Sequence, residues 1–592
     1  MHKTKTTVLV ALLLIAFAIT AVPATTASPE WSKPKVPSSD EIFGWLSDIC
    51  DMGWRIPGSP VDHQAEDYIV NKFIEFGLQD VHKDPIPMTY WSPLSWSLTV
   101  HTEEGSVSIP CWWIVYTGDT GPQGVTAEMV YLGYGTKEDF ASKNVEGKIV
   151  VVDLPRSWFI YPWLRYGIMP PPPDGTWYPP WPKCISLFEY DPEGWFPQDY
   201  THKLFIDSSP YARALAAKAA GFVGICVDYF DSPPTYFGPY DGVMKPLPGL
   251  YVGPEDGNLL RSLITDEEPV KGTLVLDVSM VPEYTNNVLG WLPGRTDDII
   301  IIHSHHDGTY SAATEDASGI SMVLALAKYF GQIPQCCREK TLLFLATAGH
   351  MYGSLGSKAF VSKYKQLLDE KLVTEIGLEH IYPREYLTID HEFVPQDHPT
   401  FQGIFVSANP CLISYTTKAV VEHDLKGTGI LSGPPISDAG AFYAAGYPII
   451  AWVSGPEYLF DINDTPDKIM VEYLNPVASA FVDIVTKIDA TPKSLIRANP
   501  PLSLPIELYQ GYGWMSIDDS YQGNGMLYVT DKVIYLGVEE SGWIAWDIVQ
   551  QWQHRNVKIY KCQSEWGILW VHTDKKHCVA IGPAAFFVGK VV

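Results

Sequence analysis

The sequence predicts an α/β protein whose main sheet is covered by helices on both faces, with a β-rich insertion and an all-β C-terminal domain. Three observations carry that expectation. From 286 to 488, apolar strands such as "DIIIIHSHH" and "KTLLFLATAG" alternate with helical stretches. Strands that are apolar without alternation belong to a mostly parallel sheet buried on both sides. Between about 88 and 284 the texture changes to strands and turns, and after 506 only strand patterns such as "GMLYVTDKVIYLGVEESGWIAWDIV" remain.

The elements follow in order. "SSDEIFGWLSDIC" opens with Ser39 as a helix start. "RIPGSP" (55–60) is a turn, and 62–78 reads as a helix with Ala65, Ile69, Phe73 and Phe76 on one stripe and Gly77 placed to end it. "GKIVVVDLP" (147–155) and "GFVGICVDY" (221–229) read as buried strands, with a helix over 210–220 feeding the second. The segment 158–182 contains four successive prolines and many aromatics. It reads as a surface loop packed by its own aromatics or as a recognition lid. Helices are expected over 317–331, from Ser357, and over 467–487, followed by a Pro-containing linker at 489–505.

At about 150 residues per domain, 592 residues predict roughly three or four domains. Apolar content of 46% and charged content of 18% are those of a folded chain. A net charge of −27 without any Lys/Arg block excludes nucleic acid as a partner. Lys3 and Lys5 precede an apolar run from Val8 to Val22 and then small residues up to Ala27, the pattern of an export signal over 1–27. A run of about 15 residues is short for a bilayer span. The expected location is therefore secreted or cell-surface, with membrane attachment only if the signal stays uncleaved. Nine cysteines make no disulfide scaffold, although Cys562 and Cys578 are a plausible pair, and the lack of any CxxC excludes a thiolate zinc knuckle.

Polar residues gather where the strands of the main sheet end. His305, His306 and Asp307 follow the first strand, and Glu315 and Asp316 open the next helix. His350 follows "LLFLATAG", Glu379 and His380 follow "EIGL", Asp438 lies in "SGPPISDAGAFYAAGYP", and Asp461 and Asp464 follow the last strand. Singly, each has an ordinary structural reading: a helix cap, or a satisfied core histidine. Together they point to a metal, because zinc takes neutral imidazole and carboxylate ligands from several strand ends. The spacing of His305 and Asp307 suits a carboxylate that orients a ligand histidine.

With these motifs in view, residues 39–80 and 285–488 resemble the co-catalytic zinc exopeptidases, the family of bacterial leucyl aminopeptidases and glutamate carboxypeptidase. The match rests on "RIPGSP", "LPGRTDDIIIIHSHHDG", "EDASGISMVLALAKYF", "GSLGSKAFV", "SDAGAFYAAGYPII" and "NDTPDKI". The insertion, with "VYLGYGTKEDFASKNVEGKIVVVDLP", resembles a protease-associated domain. The resemblance implies a mixed, mostly parallel sheet sandwiched by helices. It implies these boundaries: 1–27 signal, 28–87 first part of the peptidase-like domain, 88–284 insertion, 285–488 main part, 489–505 linker and 506–592 C-terminal β domain.

For the site, the family's His-x-Asp falls on His305 and Asp307, and its metal-bridging Asp on Glu315. Its adjacent Glu-Glu pair falls on His350 and Met351, a further ligand Asp on Glu379, the final ligand His on Phe460, and the His of "SDH" on Ala439. The resemblance thus implies His305, Glu315 and Glu379 as ligands of one zinc. His350 stands either as a replacement ligand or as the catalytic base, Asp307 as its catalytic companion, and His306, Asp316, His380, Asp438 and Asp461 as additional candidates. A second zinc would lack two ligands, since neither Met351 nor Phe460 offers a hard donor. The function expected is an exported metal-dependent peptidase with an altered, one-metal site acting on a peptide or protein. The alternative is an inactive peptidase fold serving as an extracellular binding module.

Overall fold

The structure, a computed structural model, describes residues 34–154, 210–227, 229, 237–238, 241–265, 269–431, 435 and 437–497. In the last domain it describes 507–516, 520–529, 533–538, 542–554, 557–564, 567–574, 576–581 and 585–591. The signal expected over 1–27 and the segment 158–182 lie outside these residues.

Helix α1 (Ser39–Cys50) starts where the Ser38 side chain accepts from the Glu41 N–H, and α2 (Pro60–Glu75) starts where Ser59 accepts from Asp62. Pro60 fits at the first turn because its missing N–H would have had no partner there. The stripe Ala65, Ile69, Phe73 and Phe76 is buried, and Gly77, at φ +81°, turns the chain out of the helix.

Two long strands then set the plan. β1 (Gln79–Thr102) and β8 (Lys271–Leu292) pair antiparallel over nearly their whole length. β1 also pairs with the short β2 (Gly105–Ile109). Between β2 and β8 in sequence lie β3 (Trp112–Trp113), β4 (Val125–Tyr131), helix α3 (Lys137–Ser142), β5 (Ile149–Leu154), α4 (Pro210–Ala216), β6 (Gly221–Cys226), β7 (Gly249–Val252) and α5 (Pro254–Leu263). β4, β5, β6 and β7 run parallel around a separate apolar core. β1 and β8 pass through residues 88 and 284 without a break, so the ribbon carries the main sheet into the inserted lobe.

The main sheet continues with β9 (Ile299–His305), α6 (Ser318–Gly331), β10 (Thr341–Thr347), α7 (Leu355–Lys363), α8 (Lys365–Lys371) and β11 (Leu372–Leu378). After the hairpin β12 (Arg384–Ile389) and β13 (Glu392–Pro399) come β14 (Gln402–Val406), α9 (Pro410–Glu422), β15 (Thr428–Leu431), α10 (Ala439–Ala444), β16 (Ile449–Ser454), α11 (Leu474–Asp489) and α12 (Lys493–Arg497). The order across the sheet is β15-β14-β16-β11-β9-β10-β8. β16, β11, β9 and β10 are parallel; β14 and β8 flank them antiparallel. The sheet is the mixed, mostly parallel one expected, and its two faces carry different cores. Ile300 and Ile302 pack with α1, α2, α6 and α11, whereas Ile299 and Ile301 pack with α7 and α10.

Two details differ from the sequence reading, the start of the helix expected over 467–487 and the Cys562–Cys578 pair, while the all-β last domain is present as expected. The helix expected over 467–487 begins only at Leu474, because 466–468 and 471–473 form tight 3₁₀ turns. The last domain is a closed barrel of eight antiparallel strands in sequential order: β17 (Glu507–Ser516), β18 (Ser520–Val529), β19 (Val533–Val538), β20 (Gly542–His554), β21 (Val557–Ser564), β22 (Gly567–Thr573), β23 (His577–Ile581) and β24 (Ala585–Val591). Cys562 and Cys578 are both buried in it and are not joined in a disulfide with each other. β22 runs between their strands, and two strand spacings, about 9.5 Å, exceed the reach of a disulfide.

Gly331 shows how tightly the helices sit. A Cβ there would lie 2.0 Å from the Phe76 carbonyl oxygen, which belongs to rigid backbone. Gly331→Ala is expected to destabilise the protein by about 1–3 kcal/mol in urea unfolding; an unchanged midpoint would contradict this packing.

Candidate metal centre

Because β9, β10 and β11 are parallel and in register, their carboxyl ends open on one edge, and the chain beyond each delivers its side chains to the same place. β9 ends at His305, β10 leads to His350, and β11 leads to Glu379 and His380. The loop from 306 to 312 enters a kinked turn, Ala313–Ala317, in which Glu315 and Asp316 leave helical backbone angles and Glu315 is presented to the site. Arg55 of the "RIPGSP" turn fixes that loop. Its buried guanidinium donates to the carbonyls of His306, Ile49, Gly53, Ser311 and Ala312 at 3.0–3.3 Å. Asp464 fixes the turn from the other side by accepting the N–H groups of Thr314 and Glu315 at 2.8–3.0 Å.

Glu315 is the hub. Its Oε1 lies 3.3 Å from His305 Nε2 and 3.6 Å from His350 Nε2, and its Oε2 meets His380 Nε2. The donor atoms of His305, Glu315 and His380 lie within 4.8 Å of one another, as do those of His305, His350 and Glu379. The two groups share His305, which has one nitrogen to give, so they describe one centre. Ligands about 2.0–2.1 Å from a tetrahedral ion stand roughly 3.3 Å apart, and these spacings fit.

The imidazoles are held in the tautomer that a metal requires. His305 Nδ1 faces the Asp307 carbonyl at 3.0 Å, and His380 Nδ1 faces the Ser454 carbonyl. A carbonyl only accepts, so both Nδ1 atoms carry the proton and both Nε2 atoms keep a lone pair for the centre. His350 Nδ1 lies 2.9 Å from Asp438 Oδ1, and its ring stacks on His305 at 4.1 Å. Most telling are the atoms left over. His305 Nε2, both Glu315 oxygens, Glu379 Oε2 and His380 Nε2 are buried without a hydrogen bond of proper geometry. Buried polar atoms ordinarily have partners, and a divalent cation supplies one to all five.

Charge tells the same story. Burial alone would depress the His305 imidazolium, yet Asp316, Asp307 and Glu315 raise it well above the usual histidine range. Burial also opposes charging of His380, but Glu315 and its other acidic neighbours push it up to about 9. Burial would raise Glu315, but His380 and His305 hold it far below the carboxylate range. Asp316 is pushed up to about 7 by burial, and burial raises Glu379 as well. Without a cation, then, the centre gathers protons on its imidazoles.

The remaining predicted residues take distinct places. Asp307 accepts the N–H groups of His350 and Met351 at 3.0 and 2.8 Å, shaping that turn. Asp316 accepts from Ser304, Gly319 N–H and His380 N–H, which brackets the strand ends. Asp438 also receives the Thr347 hydroxyl. His306 turns away from the centre: its Nδ1 lies 3.2 Å from Asp62, and its Nε2 donates to the Asn286 carbonyl. Asp461 accepts from Tyr229 and Asn463 rather than joining the cluster. Met351 and Phe460 are buried in the apolar core of the inserted lobe.

Sequence reasoning passed over the bracing by Arg55 and Asp464. "RIPGSP" carries no charge partner that would announce a buried guanidinium, and Asp464 stands alone in a loop. It also missed a second buried pair below the centre, His303 Nε2 against Glu375 Oε1, with His303 stacked on Phe442. The period-two alternation of β9 and β11 was the available signal.

Residues 287–485 match the model of Peptidase family M28. Three solved structures share the fold. An aminopeptidase from Aneurinibacillus sp. strain AM-1 is 20% identical, with 76% of this chain and 93% of that chain covered and a TM-score of 0.51. A zinc aminopeptidase from Bacillus subtilis is 17% identical over 77% and 95%, at 0.54. A peptidase M28 precursor from Shewanella amazonensis is 18% identical over 79% and 97%, also at 0.54. No curated protein matches the chain. The family model and these folds agree with the resemblance read from the motifs.

Because a metal must displace the protons held by His305 and His380, zinc binding to metal-free protein should release protons at neutral pH. Calorimetry in two buffers of different ionisation enthalpy measures this; an uptake enthalpy independent of buffer would contradict it.

Proposed function

We propose that the protein is a metal-dependent hydrolase of the peptidase type working with one zinc ion. His305, Glu315, Glu379 and His380 hold the ion, and His350 with Asp438 acts as the base. The observation that carries this reading is the convergence of buried donor atoms from His305, Glu315, Glu379 and His380 that nothing else partners. A zinc ion there supplies Lewis-acid polarisation of a carbonyl and acidification of water.

The chain's own groups supply the rest. Asp438 takes the His350 Nδ1 proton into a hydrogen bond, which makes Nε2 the nitrogen that would accept a proton from a nucleophilic water and return it to the leaving amine. Asp307 holds the turn that positions His350, and Thr347 steadies Asp438 from the end of β10. The buried walls exclude bulk water and strengthen each of these interactions. The leader-like residues 1–27 support action outside the cytoplasm, on an extracellular peptide or protein.

A second reading, a peptidase fold kept for binding, draws on Met351 and Phe460, which occupy ligand positions without donors. The two readings part in one experiment: hydrolysis of an unblocked peptide library by zinc-loaded protein and two variants. Glu315→Ala should lose both metal and activity. His350→Ala should keep its metal while kcat falls by about 10²–10⁴. Metal-replete wild type without activity on any peptide would favour the binding reading; undiminished activity in His350→Ala would refute the base assignment.

A further inference from the structure

The barrel carries a feature that hydrolysis does not use. Five of the exposed large apolar side chains, Val549 and Trp552 on β20, Ile568 and Trp570 on β22 and Ile581 on β23, are each 38–54% exposed. The register makes them one surface. Gln550, Lys561, Trp570 and Ile581 form one cross-strand row, and Trp552, Ile559, His572 and Val579 form the next. Val549 sits at the bulge between Ile548 and Gln550, which turns it outward. The alternate residues Tyr560, Cys562, Leu569, Val571, Cys578 and Ala580 point into the barrel and fill its core. The exposed set is therefore not spare core.

The two indoles stack at 5.9 Å and 16°, and Lys561 lies 5.8 Å over the Trp570 ring. Charge on this face runs against the rest of the molecule. Residues 542–581, which span β20 to β23, hold five Lys or Arg and three Asp or Glu, Asp547 among them, in a chain whose net charge is −27. Of the described residues, Lys558, Lys561 and Lys576 bring positive charge to β21 and the β22–β23 turn.

We propose that this face docks the protein on anionic lipid membranes. Indoles settle at the headgroup level of a bilayer, aliphatic tips enter the acyl boundary, and lysines meet acidic headgroups; this face presents all three together. The isoleucines and valine argue against a sugar polymer, which would be met by flat rings and amides without aliphatic tips. Charge complementarity selects an acidic surface over a neutral one, since the molecule as a whole is acidic while this face carries an excess of lysine and arginine. The contact is peripheral and needs no uncleaved leader, unlike the membrane attachment expected from the sequence.

The test is co-sedimentation of the full chain with vesicles of phosphatidylcholine alone or containing a third phosphatidylserine. The protein should sediment with the acidic vesicles and be released by salt. Lys558→Glu with Lys561→Glu should weaken partitioning roughly tenfold or more, and so should Trp552→Ala with Trp570→Ala. Both double variants should keep the thermal midpoint and metal content of the parent. Equal binding to neutral vesicles, binding to neither, retention only on an acidic polysaccharide, or variants that bind like the parent would each overturn the proposal.

Discussion

The structure depends on one electrostatic constraint: more carboxylate than cation is buried at the ends of β9, β10 and β11. Asp307, Glu315, Asp316, Glu379 and Asp438 face His305, His350 and His380, all nearly out of contact with water. Buried charge is costly unless it is paired. Three imidazolium ions would still leave two negative charges in excess, which only protonation of Asp316 and Glu379, both raised by burial, would balance. A divalent cation would replace the protons on His305 and His380 charge for charge and would give the orphaned donor atoms a partner. The bracing around the centre has the same logic: Arg55, Asp464 and Asp307 spend their hydrogen bonds on backbone groups, which keeps mutually repelling side chains from relaxing apart.

The inserted lobe belongs to the same account. Tyr116 donates to the Met351 carbonyl, the Trp91 N–H donates to the Tyr352 hydroxyl, and the Phe237 N–H donates to the Phe460 carbonyl. The lobe thus grips the chain immediately after His350 and immediately before Asp461. The carbonyls of Met351 and Phe460 take these hydrogen bonds while their side chains pack in the lobe's apolar core.

Much of this was legible in the sequence, for definite reasons. Strands buried on both faces announce themselves as Ile299–Ile302 and Leu342–Leu345, and a parallel sheet then forces their ends together, so His305, Glu315, His350 and Glu379 could be grouped before any coordinates. Direction was not legible. His305 and His306 look alike in sequence, yet the strand's alternation sends one to the centre and the other to Asp62. The value of His380 depended on a carbonyl, Ser454, from a strand far along the chain. The closure of the barrel, and the separation of Cys562 from Cys578 by an intervening strand, depend on pairings that no local pattern records.

The central claim is that four residues, His305, Glu315, Glu379 and His380, hold a single metal ion while Met351 and Phe460 close off a second. Elemental analysis of protein purified without chelator and equilibrated with zinc tests it most directly. The account predicts one zinc per chain, reduced to none by Glu315→Ala. Two ions per chain would show that the apolar core around Met351 and Phe460 does not block the second position, and no ion at all would show that the buried acids of this centre are balanced by protons alone.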